Sequence, residues 1–582
     1  MPETPRTDPA LALVHEGWDH MKRQRPLAAW ASWQRALRIE PGHGAATHAL
    51  NVLAGAGDLP EAARVDRKFL TPRGDAARGR WDARFRGQSL EELAVAASAF
   101  GGLADDDPAD GRARFNQGLC LAWLGRNADA VAALDRAVHA LAAEEPETAV
   151  DAWTLAEVLR HGAGAEGRAD DLNHFLVATW TPGDPDPADF LDGRPDVVTM
   201  PSPIDPETGG ARPGAFHEWL DRPPIEGPPP AEPTLADVRR VRCHALRAPG
   251  SLRLSGHDPL ELESAFAEVV GRGGDRVASV RRESRPLPIP LLDHAIWWAV
   301  RPPRDIEREA AGRINREVVE RFYEGSWLLK ARIGLDGRSP IDAGRAASDG
   351  DPVARAKLAA VVRLREQLGA RPSSAHFYQG YPFDRLRRRL GLPLIDPDAI
   401  DPADPASMSG TELDRLDPAS LADFALLDAY ESAAALGDDA RTARFAAILA
   451  ARDPSALARL DRPALFATLV RHALDVDDAD LALAHLDRAR VVDAALDGGR
   501  DRRKYETWRA EVNARAGRPD AAAVVYRNLL DESSDPALAL DAAETLVDNG
   551  HDDHARALAR LALDLAHDAG DLEAAARAAA LL

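Results

Sequence analysis

Small residues recur in this chain at a spacing that closely paired helices require. Ala29, Trp33, Ala36 and Pro41, with Gly17 and His20 ahead of them, set the pattern out once. Gly17, Ala29 and Ala36 let two antiparallel helices approach, Trp33 fills the gap between them, and Pro41 ends the second helix. The same skeleton returns at Gly118, Leu121, Gly125, Ala130, Leu134 and Ala137, and again at Gly517, Ala522, Tyr526 and Leu529. The turn glycines Gly517 and Gly550 lie 33 residues apart, and Ala555 and Ala562 follow at the expected offsets. Such units cannot bury an apolar face alone and must stack, which makes them surfaces for binding.

Composition agrees with long helices. The 582 residues are 45% hydrophobic and 29% charged but only 5% aromatic, and Ala and Leu supply much of the apolar content. At this length one core is too few, and three or four structural units are expected. The net charge of −22 opposes non-specific contact with nucleic acid, whose binding depends on neutralising phosphates. Cys120 and Cys243 are the only cysteines and stand far apart, which excludes a disulfide framework and a multi-cysteine zinc site. Met1 to Ala10 is polar and proline-rich, unlike a signal peptide, and no run approaches 18 apolar residues. A cytoplasmic protein without a membrane partner is expected.

The helix-pair signature resembles the tetratricopeptide repeat, whose period is about 34 residues. The resemblance implies a mainly α protein with α-solenoid arms at both ends and a small central α+β module. Residues 11–180 read as the N-terminal repeats, with a degraded unit from Ala45 to Thr71 and a last helix pair over Ala149–Arg160 and Asp170–Ala178. Prolines break the helical pattern over 181–236, where Phe216, Trp219 and Leu220 suggest an ordered strap lying on the repeats. Residues 237–300 read as a β-β-α-β module, with strands at Val241–Leu246, Ser251–Ser255 and Val277–Arg281 around an amphipathic helix at Pro259–Gly271. Leu291 to Val300, with Trp297 and Trp298, is a hydrophobic segment suited to packing against it. A helical domain follows over 301–395, a Pro/Asp linker over 396–418, and the C-terminal repeats over 419–582.

Proteins of the tetratricopeptide type usually hold an extended peptide or partner helix on the concave face of their first helices. One subset grips a C-terminal carboxylate with Lys and Asn there. The corresponding positions here are Val14 and Trp18 in the first unit, and Phe115 and Leu119 in the Gly118 unit. Cation and amide are missing, so the groove is apolar and suits a hydrophobic segment, the chain's own strap or central module included.

A second resemblance lies in Trp327 and the segment Leu335-Asp-Gly-Arg-Ser-Pro-Ile-Asp-Ala343. It is similar to the signature in C-terminal domains of the Xre/MbcA/ParS antitoxin type and in proteins associated with the SEC-C motif. Trp327, Leu335, Gly337 and Pro340 are the candidate partner-binding residues it implies. In local terms the segment is a turn: Gly337 supplies the bend, and Ser339 caps a helix opening on Pro340. No cysteine-rich knuckle is present, so no metal carries over.

Other motifs carry no chemistry. Gly162-Ala-Gly-Ala-Glu-Gly167 has the letters of a dinucleotide loop but no strand before it. His551 and His554 stand at an inter-helix turn without a third ligand, and Asp475 to Asp480 lack the EF-hand glycine and glutamate. Arg385-Leu-Arg-Arg-Arg-Leu mixes cations with nearby aromatics and reads as an amphipathic helix whose arginines meet the protein's own carboxylates. No nucleophile elbow, HExxH or Walker loop exists, so no enzyme, cofactor or metal is expected. Two functions remain open. One is a non-catalytic scaffold that binds a peptide or partner protein through helical-repeat surfaces and whose binding survives moderate salt. The other is an antitoxin-like regulator acting through 306–392. Nucleic acid is the less favoured partner in both.

Overall fold

Caps and close helix contacts define the first elements. Asp8 accepts from the Ala10 amide at 2.9 Å to start the helix Pro9–Lys22, and proline opens both it and its partner Pro26–Ile39. A Cβ at Gly17 would fall inside the Trp33 indole, whose Nε1 donates to the Val14 carbonyl at 3.2 Å. A Cβ at Gly118 would meet Leu134 at 2.7 Å, so the second skeleton serves the pair Gly111–Trp123 and Asn127–Leu141 in the same way.

The computed structural model describes residues 8–64, 67–73, 90–165, 167–181, 186, 188–201, 214–225, 227, 230–273, 277–297, 299–303, 305–458 and 460–582. These residues form 25 α-helices and one seven-stranded sheet in the middle of the chain. The protein is therefore mainly α with a small α+β module. It divides into two compact units, Met1–Ala399 and Ile400–Leu582.

In the first unit the N-terminal helices run as expected to Pro146–Arg160, and there the sequence reading fails. Residues 170–178, read as a helix, hold strand β1 (Leu172–Thr179). Its alternation buries Leu176 and Ala178 on one face, and both of its edges are paired. The strap 181–236 is also woven into the sheet rather than laid on the repeats. It supplies β2 (Val197–Met200) and β3 (Ala215–Leu220), and much of its proline-rich remainder lies outside the described residues. Trp219 on β3 is fully buried, its Nε1 donating to Asp196 at 3.1 Å.

The expected β-β-α-β segment is present as β4 (Arg239–Ala248), β5 (Ser251–Gly256), the helix Pro259–Gly273 and β6 (Ser279–Pro286). With β7 (Val300–Arg301) added to β4, the antiparallel order is β2-β3-β4-β5-β1-β6. The module is thus larger than the three strands expected, because neighbouring segments pair with it. Leu262, Ala265, Phe266 and Val269 of the helix pack on Leu176, Cys243, Ala245, Leu252 and Leu254. The 291–300 segment holds the turn helix His294–Trp297 and β7, and Trp298 lies outside the described residues.

The helical domain begins with Arg308–Arg321 and passes through a π-helical turn at Phe322–Trp327. It then reaches the helices Pro340–Ser348 and Pro352–Gly369. Leu386 and Leu390 enter the core, while Arg385 pairs with Glu324 at 2.8 Å and Arg387 with Glu366. The arginine run is therefore spent on internal carboxylates.

The second unit is a succession of helices in which each packs on the next, from Asp423–Ala435 to Leu572–Ala580. The helices Arg502–Arg515 and Pro536–Asp548 also touch one another, as do Pro519–Ser533 and Asp552–Ala569. Two layers of alternating helices result. The 396–418 segment is more structured than a linker. Ser409 and Glu412 form a capping box for Gly410–Arg415, and Asp414 pairs with Arg441 at 2.9 Å.

Packing at the glycines makes a direct prediction. Gly17→Val is expected to lower stability in urea denaturation by about 1–3 kcal/mol, because the indole cannot retreat. Gly44→Ala, at the start of a helix with open space around it, is expected to be neutral or stabilising by up to about 1 kcal/mol.

Candidate functional site

The positions singled out on the N-terminal helices as a concave face are not an open groove. Val14, Phe115 and Leu119 are buried, and Trp18 alone stays open, 37% exposed, with one edge against Trp33 at 5.1 Å between ring centroids. The chain itself covers this face. Leu287, Ile289, Leu292, Leu364 and Leu368 join Val14, Trp33 and Leu53 in one core. Asn116 holds the segment 67–73 by bonds of 2.8 Å to both the amide and the carbonyl of Leu70. The expected apolar groove is thus filled from within, by the 287–292 turn and the helix Pro352–Gly369. Phe115 lines a cavity of about 660 Å³ beside Lys68, Arg363 and Glu366.

The antitoxin-like signature is likewise turned inward. Of its four candidate residues Trp327, Leu335 and Pro340 are buried, and Gly337, at φ +79°, faces solvent. Ser339 caps the Pro340 helix as expected, accepting from the Asp342 amide at 3.2 Å. The rest of the turn serves an ion cluster the sequence did not reveal. Lys357, 1% exposed, places its ammonium 2.8 Å from Asp336, 2.9 Å from Asp135 and 4.7 Å from the centroid of Trp153. It therefore ties the turn to two N-terminal helices. Arg365, eight residues further along the same helix, pairs with Asp171 ahead of β1, and Arg371 pairs with Asp293.

These contacts shape a cavity of about 470 Å³ at the start of the helix Pro259–Gly273. Its walls come from β1 (Leu172, His174), β4 (Arg240, Arg242, His244), the end of β5 (His257), and the π-helical turn with its successor (Phe322, Trp327, Lys330, Arg332). His174 sits opposite Gly256 and His244 opposite Ser255, so the two histidines lie on opposite faces of the sheet. Asp170 and Asp171 close one end. Asp170 accepts from the amides of Ile333 and Gly334 at 2.6 and 3.1 Å; burial pushes its carboxyl up, against the pull of Arg332. Burial acts the same way on Asp171, yet Arg365 and Arg332 outweigh it and hold this carboxyl below the usual range.

Two histidines of the cavity, and a third behind them, are held below their ordinary range. Burial lowers His174, helped by the Lys330 ammonium, and lowers His257, which leans on the Leu172 carbonyl. His294, behind them, is pushed down to about 4, chiefly by burial. Cys243 remains a thiol, because burial lifts it to about 12.

Metal-binding chemistry finds little support among the described residues. Asp493, Asp497 and Asp501 come together, but Asp493 accepts from the Asp501 amide and Asp497 pairs with Arg462. Asp8, Glu40 and His43 also meet, at helix ends where Asp8 and His43 act as caps. At the Gly550 turn, His551 Nε2 lies 2.8 Å from the Ala514 carbonyl and His554 pairs with Asp520 at 2.9 Å.

A fully buried histidine beneath the cavity predicts how stability depends on pH. His161, 3.0 Å from the Leu287 carbonyl, is pushed down to about 4 from its ordinary 6.5 by burial. Between those values the unfolded chain binds a proton that the folded one refuses, so stability falls as pH drops. At pH 5.5 the loss through this group is about 1.4 kcal/mol relative to pH 7.5. Urea denaturation at the two pH values is expected to show a smaller loss in His161→Asn, which keeps a donor for Leu287 but does not titrate.

Compared with known families and with curated proteins, the chain matches no family model and none of the curated sequences.

Proposed function

We propose that this protein is a non-catalytic scaffold that holds a partner protein or peptide on the helix pairs of its C-terminal unit. The N-terminal face is occupied by the chain itself, so the helix pairs of 423–580 are the surface this reading assigns to a partner. That unit is strongly acidic, with 35 Asp and Glu against 20 Lys and Arg over residues 400–582. It also exposes Phe424, Val476, Val491, Val524 and Leu572. A partner segment carrying both cationic and apolar side chains matches such a surface.

The observation that carries this reading is a pair of like charges on adjacent first helices. Glu511 on Arg502–Arg515 and Asp541 on Pro536–Asp548 are both open to solvent. Packing, and then the Asp541 charge, pushes the Glu511 carboxyl above its ordinary range. Two carboxylates in this relation gain most from a cation brought by a partner. The half-buried Trp508, with Lys504 5.3 Å from its centroid, lies one turn away on the same helix and offers a flat apolar contact.

An antitoxin-like role through 306–392 keeps a narrower surface. Since Trp327, Leu335 and Pro340 are internal, it would rest on the exposed Leu329 and Ile333 beside Gly337.

Titration of the full chain with a fluorescent amphipathic Lys/Leu peptide tests the scaffold reading. Saturable binding is expected, weakened about tenfold by Glu511→Gln with Asp541→Asn, and less affected by Leu329→Glu with Ile333→Glu. Absence of binding, or equal affinity in the double carboxylate variant, rejects the proposal. Loss confined to the Leu329/Ile333 variant moves the partner site to 306–392.

A further inference from the structure

The cavity on the central sheet is a built site that the scaffold reading does not use. Its acidic groups are committed to the protein. Asp171 pairs with Arg365, and Asp170 is taken up by two backbone amides. Asp258 caps the helix Pro259–Gly273, accepting from the Leu260 amide at 2.9 Å. Glu261 pairs with Arg240 at 3.3 Å and with Arg242 at 3.4 Å. The lining holds four acidic and four basic side chains, so the charges balance over the cavity as a whole and any attraction for an anion is local to Lys330. Lys330, at its edge, has no carboxylate partner among the described residues, and its field reaches His174.

Donors are left over as well. Trp327 is 1% exposed and Arg332 is 4% exposed; both line the cavity, with the guanidinium carbon 5.0 Å from the indole centroid. Arg332 reaches Asp171 at 3.6 Å and Asp170 at 4.0 Å through Nη1, while its Nε and Trp327 Nε1 are buried N–H groups with no acceptor among the described residues. A buried donor without an acceptor is costly, so two of them in one wall mark a place where an acceptor is expected. The remaining wall is apolar: Leu172, Val241, Leu287, Ala295 and Phe322. The volume, about 470 Å³, falls within the range of small-molecule sites.

We infer that this cavity binds a small organic anion with a flat apolar body, an arylalkyl carboxylate in chemical class, whose carboxylate meets the Lys330 ammonium and the free N–H groups of Trp327 and Arg332. The body of the ligand lies along Phe322 and Leu287. His174 and His257, uncharged at neutral pH, complete the polar rim without adding charge. The turn at 333–338 holds the donors in place: Arg332 donates its backbone amide to the Arg338 carbonyl at 3.0 Å and accepts from the Gly337 amide at 2.8 Å. The site is independent of the C-terminal surface, and either can fail without the other.

Three probes on the full chain separate charge from shape: phenylacetate, its neutral counterpart 2-phenylethanol, and acetate. Calorimetry is expected to show saturable binding of phenylacetate at about 1 mM or tighter, with both other probes at least about tenfold weaker. Lys330→Met, at an exposed position, is expected to weaken phenylacetate about tenfold while leaving the melting temperature unchanged. With 5-fluorotryptophan incorporated, the fluorine resonance that disappears in Trp327→Phe is expected to shift on titration. No saturation by phenylacetate, equal affinity for 2-phenylethanol, an unchanged affinity in Lys330→Met, or a stationary Trp327 resonance would each overturn the inference and leave a cavity filled by water.

Discussion

One helix holds the first unit together, and it does so with buried charge. Pro352–Gly369 sends Lys357 to Asp135 and Asp336, Arg363 to Glu147 and Asp151, and Arg365 to Asp171. Its apolar positions Leu364 and Leu368 pack into the core of the N-terminal helices. A cation removed from water is tolerated only when its partners are fixed, because an unpaired buried charge costs several kcal/mol, on the order of 3–5. The same contacts that satisfy Lys357 and Arg365 therefore fix the positions of the N-terminal helices, the start of β1 and the turn at Asp336. Register among three segments distant in sequence is decided by this set of ion pairs.

The cavity is a consequence of that arrangement. Asp171 is drawn toward Arg365, and Asp170, its neighbour, is left to engage the amides of Ile333 and Gly334. This brings the turn beside β1 and presents Trp327 and Arg332 toward the sheet. Gly334 permits the approach, since a Cβ there would meet the Glu157 carboxylate at 2.6 Å. The signature around Trp327 thus acts inside the molecule, as a brace for a cavity wall. In the C-terminal unit acidic side chains outnumber basic ones, 35 to 20 over residues 400–582.

Much of the helical architecture was legible because its cause is local. Small residues at Gly17, Ala29, Gly118 and Ala130 can only report close approach of helices, and every one of them is buried at such a contact. The bend at Gly337 and the cap at Ser339 were readable for the same reason. What failed depended on distant partners. Leu172–Thr179 alternates weakly and follows a run of helices, so its strand character depends on β5 and β6 pairing with both its edges. The strands of 197–200 and 215–220 were hidden among prolines that mark loops.

By itself, then, the sequence determined most of the helical segments, how closely they pair, and the acidic character of the C-terminal unit, since these follow from side-chain size, spacing and charge. Only the tertiary structure decided that the N-terminal groove is closed, that Trp327 faces a cavity and that Lys357 is buried. Those outcomes depend on partners more than a hundred residues away, and no local pattern encodes the identity of a distant partner.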